Sequence, residues 1–254
     1  MRAAEVRPDG AAIRWVELPG AEPPRVYVHG LGSSSAPYYA EAVARPALAG
    51  FRSLLIDLLG FGVSDRPDDA SYTLDEHADL LAEALTQAKA APADVIAHSM
   101  GGGVAVLLAS RHPHLVERLV LVDSHLDRHT YDAASASWAM ARQSEEEFLS
   151  RGWERVLELA GRHWAATMRL AGREALHRSA VDMLNDARPT MRQTLLGLRI
   201  PRTVLYPAAA GPYPGEAELT GQGVRVVPIP DCGHNIMLDN VDGFARAVAA
   251  VLAR

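Results

Sequence analysis

Residues 93–109 limit the possible folds more than any other stretch of the chain. Ala-Asp-Val-Ile (93–96) is a short apolar run that reads as a buried strand, and Gly102 to Ala109 is apolar and long enough for a buried helix. Between them lies Ala97-His98-Ser99-Met100-Gly101. A chain that passes from strand to helix in so few residues must turn sharply, pressing the residues two before and two after the serine together. Only very small side chains fit, and alanine and glycine fill the two places. The turn lifts the serine hydroxyl to the carboxyl edge of a sheet, with a helix N-terminus behind it. The competing reading of Ser-x-Gly-Gly is a flexible turn; the flanking strand and helix favour a nucleophile.

The rest of the chain supplies a sheet for that turn. Residues 12–18 alternate as a half-exposed strand, and 20–24 (Gly-Ala-Glu-Pro-Pro) read as a turn. Arg25 to His29 is a strand running into the Gly-rich loop 30–34, and 51–57 and 117–123 are further strands. Leu74, Ala78, Leu81, Ala84 and Leu85 repeat at helical spacing, with His77 expected on that helix's surface. This alternation predicts an α/β fold: a mostly parallel central sheet with helices on both faces.

From 124 to 200 the alternation stops and helices are expected. Ser144-Glu-Glu-Glu147 reads as a capping box before Phe148, Trp153, Val156, Leu157, Ala160 and Trp164. A second helix is expected to carry Leu176, Ala180, Met183, Leu184 and Ala187, ending at Pro189. Strands resume at 202–206 and 224–229, and 241–252 closes the chain as a helix. His234 follows the last strand in Asp231-Cys232-Gly233-His234.

These features together resemble the α/β-hydrolase fold superfamily, in its capped, esterase-like serine hydrolase form, over nearly the whole chain. Ala97 stands where the usual motif has glycine. The resemblance implies a core of 1–123 and 201–254, with 124–200 a helical cap inserted after the sixth core strand. It implies Ser99 as nucleophile and His234 as base. It also implies that His29-Gly30 opens an oxyanion loop in which the Leu31 and Met100 backbone N–H groups form the hole. Asp57-Leu-Leu-Gly60-Phe-Gly62-Val-Ser64 resembles the family's Asp-x-x-Gly-x-Gly-x-Ser loop, with Leu59 where proline is usual, and reads as structural, with Asp57 organising backbone donors. Cys232 reads as a small buried residue and Asp231 as a turn residue.

The acid of the triad is displaced. In most relatives of this plan it follows the strand at 202–206, but here the chain reads Tyr206-Pro-Ala-Ala-Ala-Gly211. Asp123, at the end of the strand that follows the nucleophile helix, is the first candidate. Glu216 or Glu218 are the alternatives, and a Ser–His dyad or an inactive site is the remainder.

Composition narrows the function. A net charge of −6 disfavours nucleic acid as a partner, and no apolar run is long enough to span a bilayer. One cysteine excludes an internal disulfide framework, and the N-terminus lacks a signal-peptide apolar region, so a cytoplasmic location is expected. No metal or organic cofactor is implied, and the expected partner is a small-molecule substrate. The leading expectation is hydrolysis of an ester or related acyl bond of a small, mainly apolar substrate. The alternatives are a lyase, cyclase or acyltransferase using the same pocket, and a ligand-binding protein on an inactive hydrolase fold.

Overall fold

The computed structural model describes residues 1–124, 126–127, 135–185 and 189–253. In chain order its elements are β1 (Arg2–Glu5), β2 (Ala12–Leu18), β3 (Ala21–Val28), α1 (Ser35–Val43), β4 (Phe51–Asp57), α2 (Leu74–Gln87), β5 (Ala93–His98), α3 (Met100–Arg111) and β6 (Val116–Val122). Then come α4 (Ala136–Ala141), α5 (Glu145–Glu147), α6 (Trp153–Met168), α7 (Arg173–Met183) and α8 (Met191–Gly197). The chain ends with β7 (Arg202–Pro207), α9 (Glu216–Gly221), β8 (Val224–Ile229), α10 (Ile236–Asp239) and α11 (Val241–Leu252).

The strands form one eight-stranded sheet in the order β1-β2-β4-β3-β5-β6-β7-β8. β1 and β2 run antiparallel at one edge, and every pairing from β4 to β8 is parallel. A parallel sheet is covered on both faces, so its inner strands carry apolar runs that face both layers rather than a strict alternation. In β5 and β6, Val95, Ala97, Leu119 and Leu121 pack with α2 and α3 on one face, while Ile96, Val120 and Val122 pack with α1 and α11 on the other. Strand β5 is buried along its whole length, which fixes the position of its carboxyl end.

Three expectations need correction. Residues 20–24 are not simply a turn: β3 begins at Ala21, and its pairing with β4 is irregular between Ala21 and Arg25, where Pro23 and Pro24 have no N–H to donate. His77 is not on the surface of α2 but 1 % exposed, because its face of the helix packs under α7. Helix α7 ends at Met183 with Leu184 as its C-cap, short of Ala187, which lies outside the described residues. Ser144 does cap α5, its hydroxyl accepting from the Glu147 N–H.

The helices between β6 and β7 are tied to the rest of the fold by polar links. Asp182 accepts from the Leu74 N–H at 2.8 Å, filling one of the open donors at the start of α2. Arg178 donates to the carbonyls of Asp68 and Ala70, and the Gly172 N–H donates to the Gly60 carbonyl at 2.8 Å.

Candidate active site

The site is built at the carboxyl ends of β3, β5 and β6. Ser99 follows β5 as the N-cap of α3, with φ 52° and ψ −121°. That conformation is costly for a residue with a β-carbon and persists only where the surroundings impose it. Here they do. The Ser99 N–H donates to the Val122 carbonyl at 3.0 Å, and its own carbonyl accepts from the Gly102 N–H at 2.9 Å. Gly101 allows the turn to close, since a β-carbon there would lie 2.3 Å from the His29 carbonyl oxygen. Ala97 is wholly buried, so the small residue two before the serine is packed as the turn requires.

His29 and Gly30 carry the chain from β3 into the loop facing Ser99. The His29 ring is buried, its Nδ1 donating to the Gly30 carbonyl at 2.7 Å and its Nε2 accepting from the Leu58 N–H at 3.0 Å. Burial holds His29 below the usual imidazole pKa, against the opposing pull of Asp57 and the Gly30 carbonyl. Among the described residues, no backbone carbonyl accepts from the N–H of Leu31 or of Met100. On its far side the loop is held by Trp164 of α6, whose Nε1 donates to the Leu31 carbonyl at 2.7 Å. Asp57 accepts from the Ser34 hydroxyl, the Ser35 N–H and the Val63 N–H, so it organises the loops beneath the site rather than facing it.

His234 is half exposed on the loop between β8 and α10, and its Nδ1 lies 2.6 Å from Oδ2 of Asp123. Asp123 follows β6 directly and takes a positive φ of 43°, with its N–H donating to the Leu205 carbonyl at 2.8 Å. Of the carboxylates weighed from the sequence, the structure brings this one to the histidine. Glu218 instead lies 3.6 Å from Arg192, which forms a bidentate pair with Asp127. The segment after β7 supplies an aromatic residue there, not an acid: the Tyr213 hydroxyl donates to the Ser124 carbonyl at 2.5 Å. Asp231 takes a positive φ of 53°, as its reading as a turn residue implies. Cys232 is partly buried, donates to the Ile229 carbonyl, and has its thiol pushed up to about 11 by burial and by Asp239, Asp123 and Asp231.

Ser99, Asp123 and His234 line one cavity of about 410 Å³, together with Gly30, Leu31, Ser33, Tyr38 and His98 from the sheet layer and Ala160, Trp164 and Met183 from α6 and α7. That volume suits a small organic ligand. Sequence reasoning gave no role to Ser33, Tyr38 or His98. His98 Nε2 donates to the His234 carbonyl at 2.9 Å, and the two rings lie 4.6 Å apart. Its place beside Ser99 was the available signal. Among the described residues, no group of His, Cys, Asp or Glu is arranged to hold a metal ion, and no helix is long and apolar enough to cross a membrane.

The family model for the alpha/beta hydrolase fold matches residues 23–169, the stretch from β3 through the serine turn into α6. The chain belongs to the α/β-hydrolase fold family. It is 40 % identical over 106 residues to the 2-hydroxymuconate semialdehyde hydrolase of a Pseudomonas species, a match covering 41 % of this chain and 38 % of that protein. It thus spans well under half of that relative's length. Over 98 % of the chain and 87 % of the relative, it is 26 % identical to the mouse (Mus musculus) sn-1-specific diacylglycerol lipase ABHD11. Among solved structures, the enol-lactonase of Burkholderia xenovorans superposes with a TM-score of 0.76 at 22 % identity over 100 % of both chains. The bromoperoxidase of Bacillus anthracis gives 0.80 at 20 % identity, over 100 % of this chain and 99 % of that one. At those identities the likeness shows a shared fold. The names of the two sequence relatives are those of a hydrolase and a lipase.

Proposed function

We propose that this protein is a serine hydrolase cleaving an ester or related acyl bond of a small, mainly apolar substrate through an acyl-enzyme. The observation that carries this reading is the 2.6 Å contact between His234 Nδ1 and Asp123 Oδ2, in the cavity that Ser99 lines. Ser99 attacks the acyl carbon while Nε2 of His234 takes the hydroxyl proton. Asp123 keeps the other ring proton on Nδ1 and stabilises the imidazolium. The Leu31 and Met100 N–H groups hold the oxyanion, and His234 then protonates the leaving group. Water, activated by the same imidazole, releases the acid and regenerates Ser99. In this reading residues 124–200 roof a core formed by 1–123 and 201–254, and the enzyme works in the cytoplasm without a cofactor.

Turnover of a short-chain p-nitrophenyl ester by wild type, Ser99→Ala, Asp123→Asn and Glu216→Gln tests the assignment. Asparagine tolerates the positive φ of Asp123, so that variant removes charge without adding backbone strain. Ser99→Ala is expected to abolish turnover. Asp123→Asn should lower kcat by about 10³–10⁴, as loss of a triad acid does, and Glu216→Gln should match wild type. Turnover that survives Ser99→Ala would overturn the nucleophile, and an active Asp123→Asn would overturn the acid.

A further inference from the structure

Besides that of Ser99, two hydroxyls in the cavity have no hydrogen-bond partner among the described residues. Ser33 is 3 % exposed and Tyr38 is 2 % exposed, and both line the cavity that holds Ser99. Neither hydroxyl is a sealed, unpartnered atom as that of Tyr27 is. Ser33 is turned back over the oxyanion loop by its N–H, which donates to the Gly30 carbonyl at 3.1 Å. Tyr38, on α1, sets its ring against His98 at 6.2 Å and His163 at 5.9 Å. Two open hydroxyls on one cavity wall exchange their water for a ligand's polar group when a ligand fills the cavity, and a ligand lacking such a group would leave them unpaired.

The charge of the lining limits what that partner can be. Among the described lining residues there is no lysine or arginine, and Asp123 contributes a carboxylate. Among these described lining residues an anionic group would lose its hydration, find no lysine or arginine, and lie in the same cavity as the Asp123 carboxylate. A neutral oxygen would accept from, or donate to, either hydroxyl at little cost.

We infer that Ser33 and Tyr38 form a polar subsite that binds a neutral oxygen function of the substrate (a hydroxyl, ether or carbonyl) close to the scissile bond. The inference rests on the serine-hydrolase reading for its reaction, and on the cavity alone for its binding. It narrows a mainly apolar substrate to one that carries such an oxygen.

Matched ester pairs that exchange one methylene for an ether oxygen test it. On the acyl side the pair is p-nitrophenyl butyrate and p-nitrophenyl methoxyacetate; on the alcohol side it is n-butyl butyrate and 2-methoxyethyl butyrate. The measured quantity is the ratio of kcat/KM, ether over all-carbon, in wild type, Ser33→Ala, Tyr38→Phe and the double variant. A ratio within one preparation is insensitive to the fraction of folded protein. In at least one pair, a single variant is expected to lower the ratio about tenfold, the worth of one hydrogen bond, and the double variant further. Ratios equal to wild type in both pairs overturn the subsite. A wild-type preference for p-nitrophenyl hemisuccinate over both p-nitrophenyl esters overturns its neutral character. If no Ser99-dependent turnover occurs, the hydrolase reading fails by itself. The same pairs titrated calorimetrically onto wild type and the double variant then decide the subsite by the same ratio in Kd.

Discussion

Ser99 combines two properties that can be separated by substitution. Its side chain is the proposed nucleophile, and its backbone occupies a positive-φ conformation imposed by its bond to Val122 and the packing of Gly101 against His29. Ser99→Ala removes the hydroxyl and keeps the strain, whereas Ser99→Gly removes both. Strain of this kind costs about 1–3 kcal/mol, opposed by the 0.5–1 kcal/mol that glycine's greater freedom takes from the folded state. Ser99→Gly should therefore be more stable than Ser99→Ala by about 1 kcal/mol, read from the midpoints of urea unfolding. Equal midpoints would mean that the turn is not strained. The turn was legible in the sequence because its requirement is local: small residues two before and two after a serine, between a strand and a helix. Asp123 was legible by its place at a strand end. Its contact with His234 joins residues 111 positions apart, and no local pattern encodes that.

At the scale of elements, α6 shows how the helices after β6 shape the site. Gly161 breaks the helix with φ 72° and ψ 166°, a region open essentially to glycine alone. Beyond the break lies Trp164, whose indole donates to the Leu31 carbonyl. A β-carbon at 161 would meet nothing within 4 Å, so the cost of Gly161→Ala is conformational rather than steric. That variant should lose about 1–3 kcal/mol of stability. If α6 straightens instead, Trp164 leaves the loop after β3, and the proposed ester turnover falls. Thermal unfolding and turnover measured together check this, and a variant matching wild type in both would show that the break is incidental. Periodicity found α2, the α6 region and α11, whose apolar stripes are long. It missed β1, a four-residue edge strand of mixed polarity, and α1, whose Tyr38, Tyr39, Ala42 and Val43 bury a face that begins right after the Gly-rich loop. Where the helices of 124–200 pack is a tertiary property, so Trp164 and Met183 could not be told from ordinary core residues in advance.

At the scale of the whole molecule, two buried imidazoles couple the packing of the fold to pH. His77 Nε2 donates to the Ser179 hydroxyl of α7, which donates onward to the Tyr72 carbonyl, and the ring lies between Phe61 and Tyr72. Burial, with a smaller contribution from His29, pushes His77 down to about 3 from an ordinary 6.5. His29, buried on the other side of Phe61, is also lowered. In the unfolded chain both rings take up protons below about pH 6.5, whereas His77 stays neutral in the fold until near pH 3. The stability that depends on the neutral rings is thus complete above pH 6.5 and declines as pH falls through this window. Each ring that remains neutral contributes a slope of about 1.4 kcal/mol per pH unit. Between pH 6.5 and 5 carboxylates are largely ionised in both states, so histidines dominate the slope there. His77→Gln retains an N–H for Ser179 and removes the titration. Its unfolding free energy should fall less steeply than wild type's between pH 6.5 and 5, by about one proton, or roughly 2 kcal/mol across the window. The slope is independent of any constant loss the substitution causes at pH 8. Parallel curves for the two proteins would mean that His77 takes up its proton in the fold as readily as out of it, and that the contact between α2 and α7 is not closed to charge.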